Sequence, residues 1–146
     1  MTPRREFLST CACAGGLGAL SLIGIGCGGK SGSPTQPAPS GTFSVKLADH
    51  PALANDNTAV GVSGTPAGSI FVTHTTGSSY FALSRICTHQ GCTVNLPGSG
   101  APSILPCPCH GSQYNLNGSV ARGPAPQALQ SWPVTLNNAV LEINFG

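Results

Sequence analysis

Charge is what this sequence has least of. Asp, Glu, Lys and Arg make up only 7% of its 146 residues, and the formal net charge is +2. Past the N-terminal segment, Lys30, Lys46, Arg85 and Arg122 stand against Asp49, Asp56 and Glu142, which is close to neutral. No basic stripe is present to neutralise a phosphate backbone, which argues against nucleic acid as a partner. Recognition by another protein would rest on shape and apolar contact more than on long-range steering. Sustained helical periodicity is the second absence. Beyond residue 42 no stretch keeps it, and eleven glycines and nine prolines interrupt that region. The third is a long apolar run. Thr10 to Gly26 is uncharged and small, but its seventeen residues include five glycines, and a bilayer-spanning helix needs roughly twenty apolar residues.

What the N-terminus does contain is a delivery pattern. Arg4-Arg5-Glu6-Phe7-Leu8 resembles the twin-arginine export signal, and the apolar run behind it reads as a signal-peptide core. A permanent membrane anchor is the alternative. Cys27, preceded by Ile25-Gly26 and followed by a Gly/Ser/Pro-rich stretch, resembles a bacterial lipoprotein site, although Gly24 stands where leucine is usual. The expected organisation is a signal over 1–27 with lipidation at Cys27, a flexible linker over 28–41, and one domain over 42–146. Either reading of the N-terminus tethers an exported domain to the outer, periplasmic face of a bacterial cytoplasmic membrane.

Of seven cysteines, Cys11 and Cys13 lie in the apolar run and Cys27 ends it; the other four fall in two short motifs. These are Cys87-Thr88-His89-Gln90-Gly91-Cys92 and Cys107-Pro108-Cys109-His110-Gly111-Ser112. Such tight spacing lets each loop tip offer a thiolate and an imidazole to a shared cofactor. Thiolates suit iron–sulfur chemistry, and neutral imidazole lowers the net negative charge of such a site, which raises its potential. Zinc in a tetrahedral site could use the same donors, but it gives no reason for the remaining cysteines. A pure disulfide framework leaves His89 and His110 idle. His50 and His74 fit no motif, and His74, in a run of threonines, reads as a surface residue.

Residues 84–126 resemble the cluster-binding part of high-potential Rieske iron–sulfur proteins of quinol-oxidising cytochrome complexes. The resemblance implies a Rieske-type [2Fe–2S] cluster held by Cys87, His89, Cys107 and His110, with a disulfide between Cys92 and Cys109. It also implies that Ser112 donates a hydrogen bond to a bridging sulfide and Tyr114 to a ligand thiolate, both raising the potential. Gly123-Pro124-Ala125-Pro126 corresponds to a proline loop covering the cluster. Low-potential Rieske ferredoxins lack the second cysteine pair. Export fits as well. Ligand thiolates must be reduced when a cluster is built, whereas a disulfide needs an oxidising compartment, and the twin-arginine route carries folded proteins. The implied function is one-electron transfer from a quinol-oxidising cytochrome b-type subunit towards a cytochrome c-type acceptor, with no independent turnover. Gln90 departs from the family's usual leucine between His89 and Gly91. That polar tip keeps two alternatives open: a free-standing carrier, or the small subunit of an arsenite-oxidase-type enzyme.

The remaining chain predicts an all-β domain. Phe43, Val45 and Leu47 alternate, and Ser69–Thr75 and Ser79–Arg85 form a hairpin about Thr76-Gly77-Ser78. Asn117-Gly118 predicts a tight turn, and Asn137-Asn138 is expected to join Trp132–Thr135 to the alternating run Val140–Phe145. Short strands of this kind suit an antiparallel β-sandwich or partly open barrel, with the cluster-binding subdomain inserted at a sheet edge.

Overall fold

A computed structural model describes residues 38–98 and 103–146. The twin-arginine pair, the apolar run, Cys27 and most of the linker lie outside the described residues. Among the described residues ten strands are present: β1 (Thr42–Lys46), β2 (Thr58–Thr65), β3 (Gly68–His74), β4 (Tyr80–Ser84), β5 (Ile104–Pro106), β6 (Gln113–Asn115), β7 (Val120–Arg122), β8 (Ser131–Trp132), β9 (Val134–Asn137) and β10 (Val140–Asn144). Two short 3-10 turns, Leu47–Asp49 and Pro51–Ala54, link β1 to β2. The strands form three sheets, β1-β10-β9, β2-β3-β4-β8 and β5-β6-β7, and their pairings are antiparallel. The all-β antiparallel architecture expected from the turns is therefore the one observed.

The β2-β3-β4-β8 sheet is the middle layer, and its side chains show why. Along β3, Ile70 and Val72 belong to one core with Val45, Leu53, Leu141 and Ile143, while Phe71 belongs to a second core with Leu105, Tyr114 and Leu116. Neighbouring residues of a strand point to opposite faces, so a strand buried on both sides reads as a continuous apolar run rather than an alternating one. Ala82 and Leu83 divide the same way on β4. The second core covers the face that carries Cys87 and Cys107. Thr73 ties the layers together, its hydroxyl donating to the Leu116 carbonyl at 2.6 Å.

Strand β4 pairs with β8, Leu83 opposite Ser131, and Ser84 N–H donates to the Gln130 carbonyl at 2.8 Å. The chain between these points is thus an excursion whose two ends are stapled to each other. It holds both Cys/His motifs. The β3–β4 hairpin turns where Gly77 predicts, with Gly77 at φ +63° and Thr75 N–H on the Ser79 carbonyl at 3.1 Å. Asn117-Gly118 also turns as expected, with Gly118 at φ +86°.

Two expectations shift. The run Trp132–Thr135 is broken at Pro133, so Ser131–Trp132 stays in the middle sheet while Val134–Asn137 joins β10 in another. Proline has no N–H to give a ladder, which makes it a natural point for a strand to change sheets. The following turn sits one residue later than predicted, on Asn138 and Ala139, both at positive φ (46° and 64°), the two-residue geometry that matches strand twist. One expectation is overturned: His74 is buried, not on the surface. Its Nδ1 lies 3.0 Å from the Asn55 carbonyl oxygen and its Nε2 2.8 Å from that of Gly77, and its ring stacks on Tyr80 at 4.3 Å. The imidazole thus pins the hairpin turn to the segment entering β2. No strand was expected over Thr58–Thr65, because TAVGVSGT is rich in small residues and is irregular between Val62 and Thr65.

Candidate metal centre

The two motifs fold into two copies of one turn. In the first, Cys87 N–H donates to the Cys92 carbonyl at 2.8 Å and Gly91 N–H returns to the Cys87 carbonyl at 2.9 Å. In the second, Cys107 N–H donates to the Ser112 carbonyl at 2.8 Å and Gly111 N–H returns to the Cys107 carbonyl at 3.2 Å. Each turn needs a left-handed residue four positions after its cysteine, and Gly91 (φ +73°) and Gly111 (φ +76°) supply it. The loops are linked covalently. Cys92 and Cys109 form a disulfide with Cα atoms 6.5 Å apart.

Cys87 and Cys107 remain as free, buried thiols in the same core. Burial pushes the Cys107 thiol up, and the neighbouring Cys87 sulfur adds to this. Burial acts on Cys87 too, but hydrogen bonds from the Tyr114 hydroxyl, the His89 backbone N–H and the Cys107 and Ser112 side chains outweigh it, so its thiol is held low. The imidazoles lie outside the thiols, His89 half-buried and His110 exposed. Their Nδ1 atoms face each other at 3.2 Å, and the rings stand edge to face at 4.7 Å between centroids. This turns each Nε2 away from the meeting point.

The donor set fits a two-iron cluster. Imidazole nitrogens about 2.0–2.1 Å from one tetrahedral ion lie about 3.3 Å apart, close to the observed Nδ1–Nδ1 distance of 3.2 Å. The donors come as a buried sulfur pair and an outer nitrogen pair.

Around the sulfurs, Tyr114 and Ser112 are fully buried. The Tyr114 hydroxyl lies 3.2 Å from Cys87 Sγ, and burial holds its phenol above the ordinary range, with the Cys87 contact adding to this, so it stays a proton donor. Ser112 Oγ accepts the Ala125 N–H at 3.0 Å, which leaves its own proton free to point elsewhere. That bond ties the 123–126 segment to the second motif, and Ala125 packs in the same core as Cys87 and Cys107. Residue-by-residue reading missed two participants. Thr88 N–H donates to the Tyr114 hydroxyl at 3.1 Å, and Thr88 Oγ1 donates to the Gln127 carbonyl at 2.6 Å. Thr88 lies inside the motif, but its side chain's partners are 26 and 39 residues away, and no local pattern reports them.

Comparisons with known proteins agree with the donor chemistry. The family model described as "Rieske [2Fe-2S] domain" matches residues 43–133. The chain is 37% identical over 128 residues to the chloroplastic cytochrome b6-f complex iron-sulfur subunit of Triticum aestivum, covering 77% of this chain and 56% of that protein. It is 39% identical over 139 residues to the cytochrome b6-f complex iron-sulfur subunit of Prochlorococcus marinus, covering 86% and 75%. The chain thus spans little more than half the length of the wheat relative. In structure it is similar to the plasma membrane Rieske protein PetC3 from Synechocystis PCC 6803, with a TM-score of 0.56, 27% identity and coverage of 68% of this chain and 94% of that one. With a family model matching most of the described domain, the chain belongs to the Rieske [2Fe-2S] family, whose Rieske-type cluster is its cofactor.

Proposed function

We propose that this protein is an exported, membrane-tethered one-electron carrier of the high-potential Rieske class, working as the iron–sulfur subunit of a quinol-oxidising cytochrome complex. Cys87 and Cys107 would hold the inner iron, and His89 and His110 the outer one. The observation that carries the reading is a buried thiol pair set inside a facing imidazole pair, His89 half-buried and His110 exposed. The cluster supplies reversible one-electron transfer, at a potential that imidazole ligation raises.

The chain's own residues do the rest. The disulfide and the twin glycine turns hold the loops that carry the four donors. Tyr114 and Ser112 present hydroxyl protons on the sulfur side, where they favour the more negative, reduced state. The segment Gly123–Pro126 shields that side from water; fixed proline backbone loses little entropy in doing so. His110 and the outer edge of His89 stay open to a partner. The relatives named above are subunits of cytochrome b6-f complexes, which supports a cytochrome b-type donor and a cytochrome c-type acceptor. Arg4-Arg5, the apolar run and Cys27 support export by the twin-arginine route and a lipid or helical tether.

Gln90 favours a second reading. It is exposed at the tip of the first loop, and an amide there suits an apolar quinol pocket poorly. A free-standing carrier, or the small subunit of an arsenite-oxidase-type enzyme, would accept it. A cytochrome b encoded beside this protein supports the first reading, and a molybdopterin oxidase there supports the second.

The test is paramagnetic resonance on protein matured in a bacterial host that builds iron–sulfur clusters. After dithionite it should show a low-average-g signal that Cys87→Ser and His110→Ala each abolish. A positive midpoint potential places it in the high-potential class, and a value near −150 mV, at the bottom of the family range of about −150 to +300 mV, removes it from that class. Colourless, silent protein would sink the proposal.

A further inference from the structure

The Tyr114 hydroxyl has more neighbours than it has protons. A phenol offers one O–H and two lone pairs. Its oxygen lies 3.2 Å from Cys87 Sγ, 3.1 Å from the Thr88 backbone N–H and 3.1 Å from Thr88 Oγ1. The Thr88 N–H can only donate, so it occupies one lone pair. Thr88 Oγ1 has already placed its own proton, since it lies 2.6 Å from the Gln127 carbonyl oxygen, which can only accept. Towards Tyr114, Thr88 Oγ1 is therefore an acceptor. The single Tyr114 proton is contested between the Thr88 oxygen and the Cys87 sulfur, at nearly equal distances.

We propose that Thr88 is a positioning residue that sets how much of the Tyr114 hydrogen bond reaches the Cys87 sulfur, and that the Gln127 carbonyl holds Thr88 in this competing role. The inference rests on the reading that Cys87 is an iron ligand. It assigns the loop carrying Gln127 a part beyond shielding. Were that carbonyl to move, Thr88 could turn its proton towards Tyr114, and the Tyr114 proton would pass wholly to sulfur. The Thr88 oxygen takes a share of the proton that would otherwise go to sulfur, so the arrangement keeps the potential below the value Tyr114 alone would give. A single backbone position then links the placement of the covering segment to the ease of reduction.

Potentiometric titration of the holoprotein, followed by paramagnetic resonance, tests this on Thr88→Val, Thr88→Ser, Tyr114→Phe and the Thr88→Val/Tyr114→Phe double variant. Thr88→Val removes the competing oxygen at constant shape and is expected to shift the redox equilibrium three- to tenfold towards reduction, about 30–60 mV upward at 59 mV per tenfold. Thr88→Ser restores the wild-type value. Tyr114→Phe lowers the midpoint, and in its background Thr88→Val has no further effect. A Thr88→Val midpoint that falls or stays put overturns the proposal, as does an equal upward shift from Thr88→Val in the wild-type and Tyr114→Phe backgrounds. Should Thr88→Val lose its cluster, Thr88→Ala is read instead by pulsed resonance in D2O, where the exchangeable coupling from the Tyr114 position must strengthen; an unchanged coupling overturns the proposal. Failure of the underlying reading looks different, because wild-type protein would then show no low-average-g signal at all.

Discussion

Replacing Ser112 by alanine removes one oxygen that has two jobs, and the two should separate experimentally. The residue is fully buried, and its Oγ accepts the Ala125 N–H at 3.0 Å. Alanine leaves that buried N–H without a partner, a loss of about 1–3 kcal/mol. For a domain of this size each kcal/mol lowers the melting temperature by roughly 4–8 °C. The second job uses the hydroxyl proton, which the Ala125 contact does not use and which the proposed role directs at the sulfur side. A hydrogen bond to a charged acceptor is worth about 1.5–3 kcal/mol, and only the part that strengthens on reduction, about 1–2 kcal/mol, moves the potential. One tenfold step is 1.4 kcal/mol and 59 mV for one electron, so the midpoint should fall by about 40–90 mV. Thermal melting by circular dichroism and potentiometric titration of the same preparation check the two effects. Ser112→Thr, which keeps the hydroxyl, should recover most of the potential whatever it does to packing. A destabilised Ser112→Ala protein with an unmoved midpoint would refute the sulfur-side role, and an unmoved melting temperature would refute the role of the Ala125 contact.

Other outcomes follow from particular contacts. Gly118→Ala places a Cβ 2.9 Å from Leu83 Cδ2 at φ +86°, so overpacking and backbone strain should together cost about 2–4 kcal/mol in a denaturant titration; a cost below about 0.5 kcal/mol would show that this turn relaxes freely. The Cys92→Ser/Cys109→Ser pair opens a loop of sequence separation 17 and should destabilise the iron-free domain by about 3 kcal/mol, while speeding loss of visible absorbance from the loaded protein on warming. Equal rates of bleaching with and without the disulfide would mean the cluster alone holds the loops together. His74→Ala removes the buried ring that faces the Asn55 and Gly77 carbonyls and stacks on Tyr80, and about 2–3 kcal/mol of stability should go with it, with a midpoint potential unchanged because, among the described residues, no contact links His74 to either motif; a shifted potential would contradict that separation.

The chemistry of the centre is written locally. Two cysteines, two histidines and two glycines at set offsets define both turns, because a turn's hydrogen bonds and its one left-handed residue all fall within six positions. The Gly77 and Gly118 turns and the alternation of Leu141 and Ile143 are legible for the same reason. The donor set and the resemblance it carries thus point to the cofactor before any fold is known. What the tertiary structure alone decided depends on partners far along the chain. Pro133 marks a break, but only sheet pairing shows that the strands on either side of it belong to different layers. Thr58–Thr65 becomes a strand because β3 supplies its ladder, not because its small residues prefer one. His74 looks like a surface residue beside threonines until Asn55 and Gly77 close on it from two directions. Thr88, Tyr114 and Gln127 meet across separations of 26 and 39 residues, where no spacing rule reaches. Ligand identity is a property of side-chain type and short-range geometry; the hydrogen bonds that tune the ligands are a property of packing, and packing is settled only when the whole chain has closed.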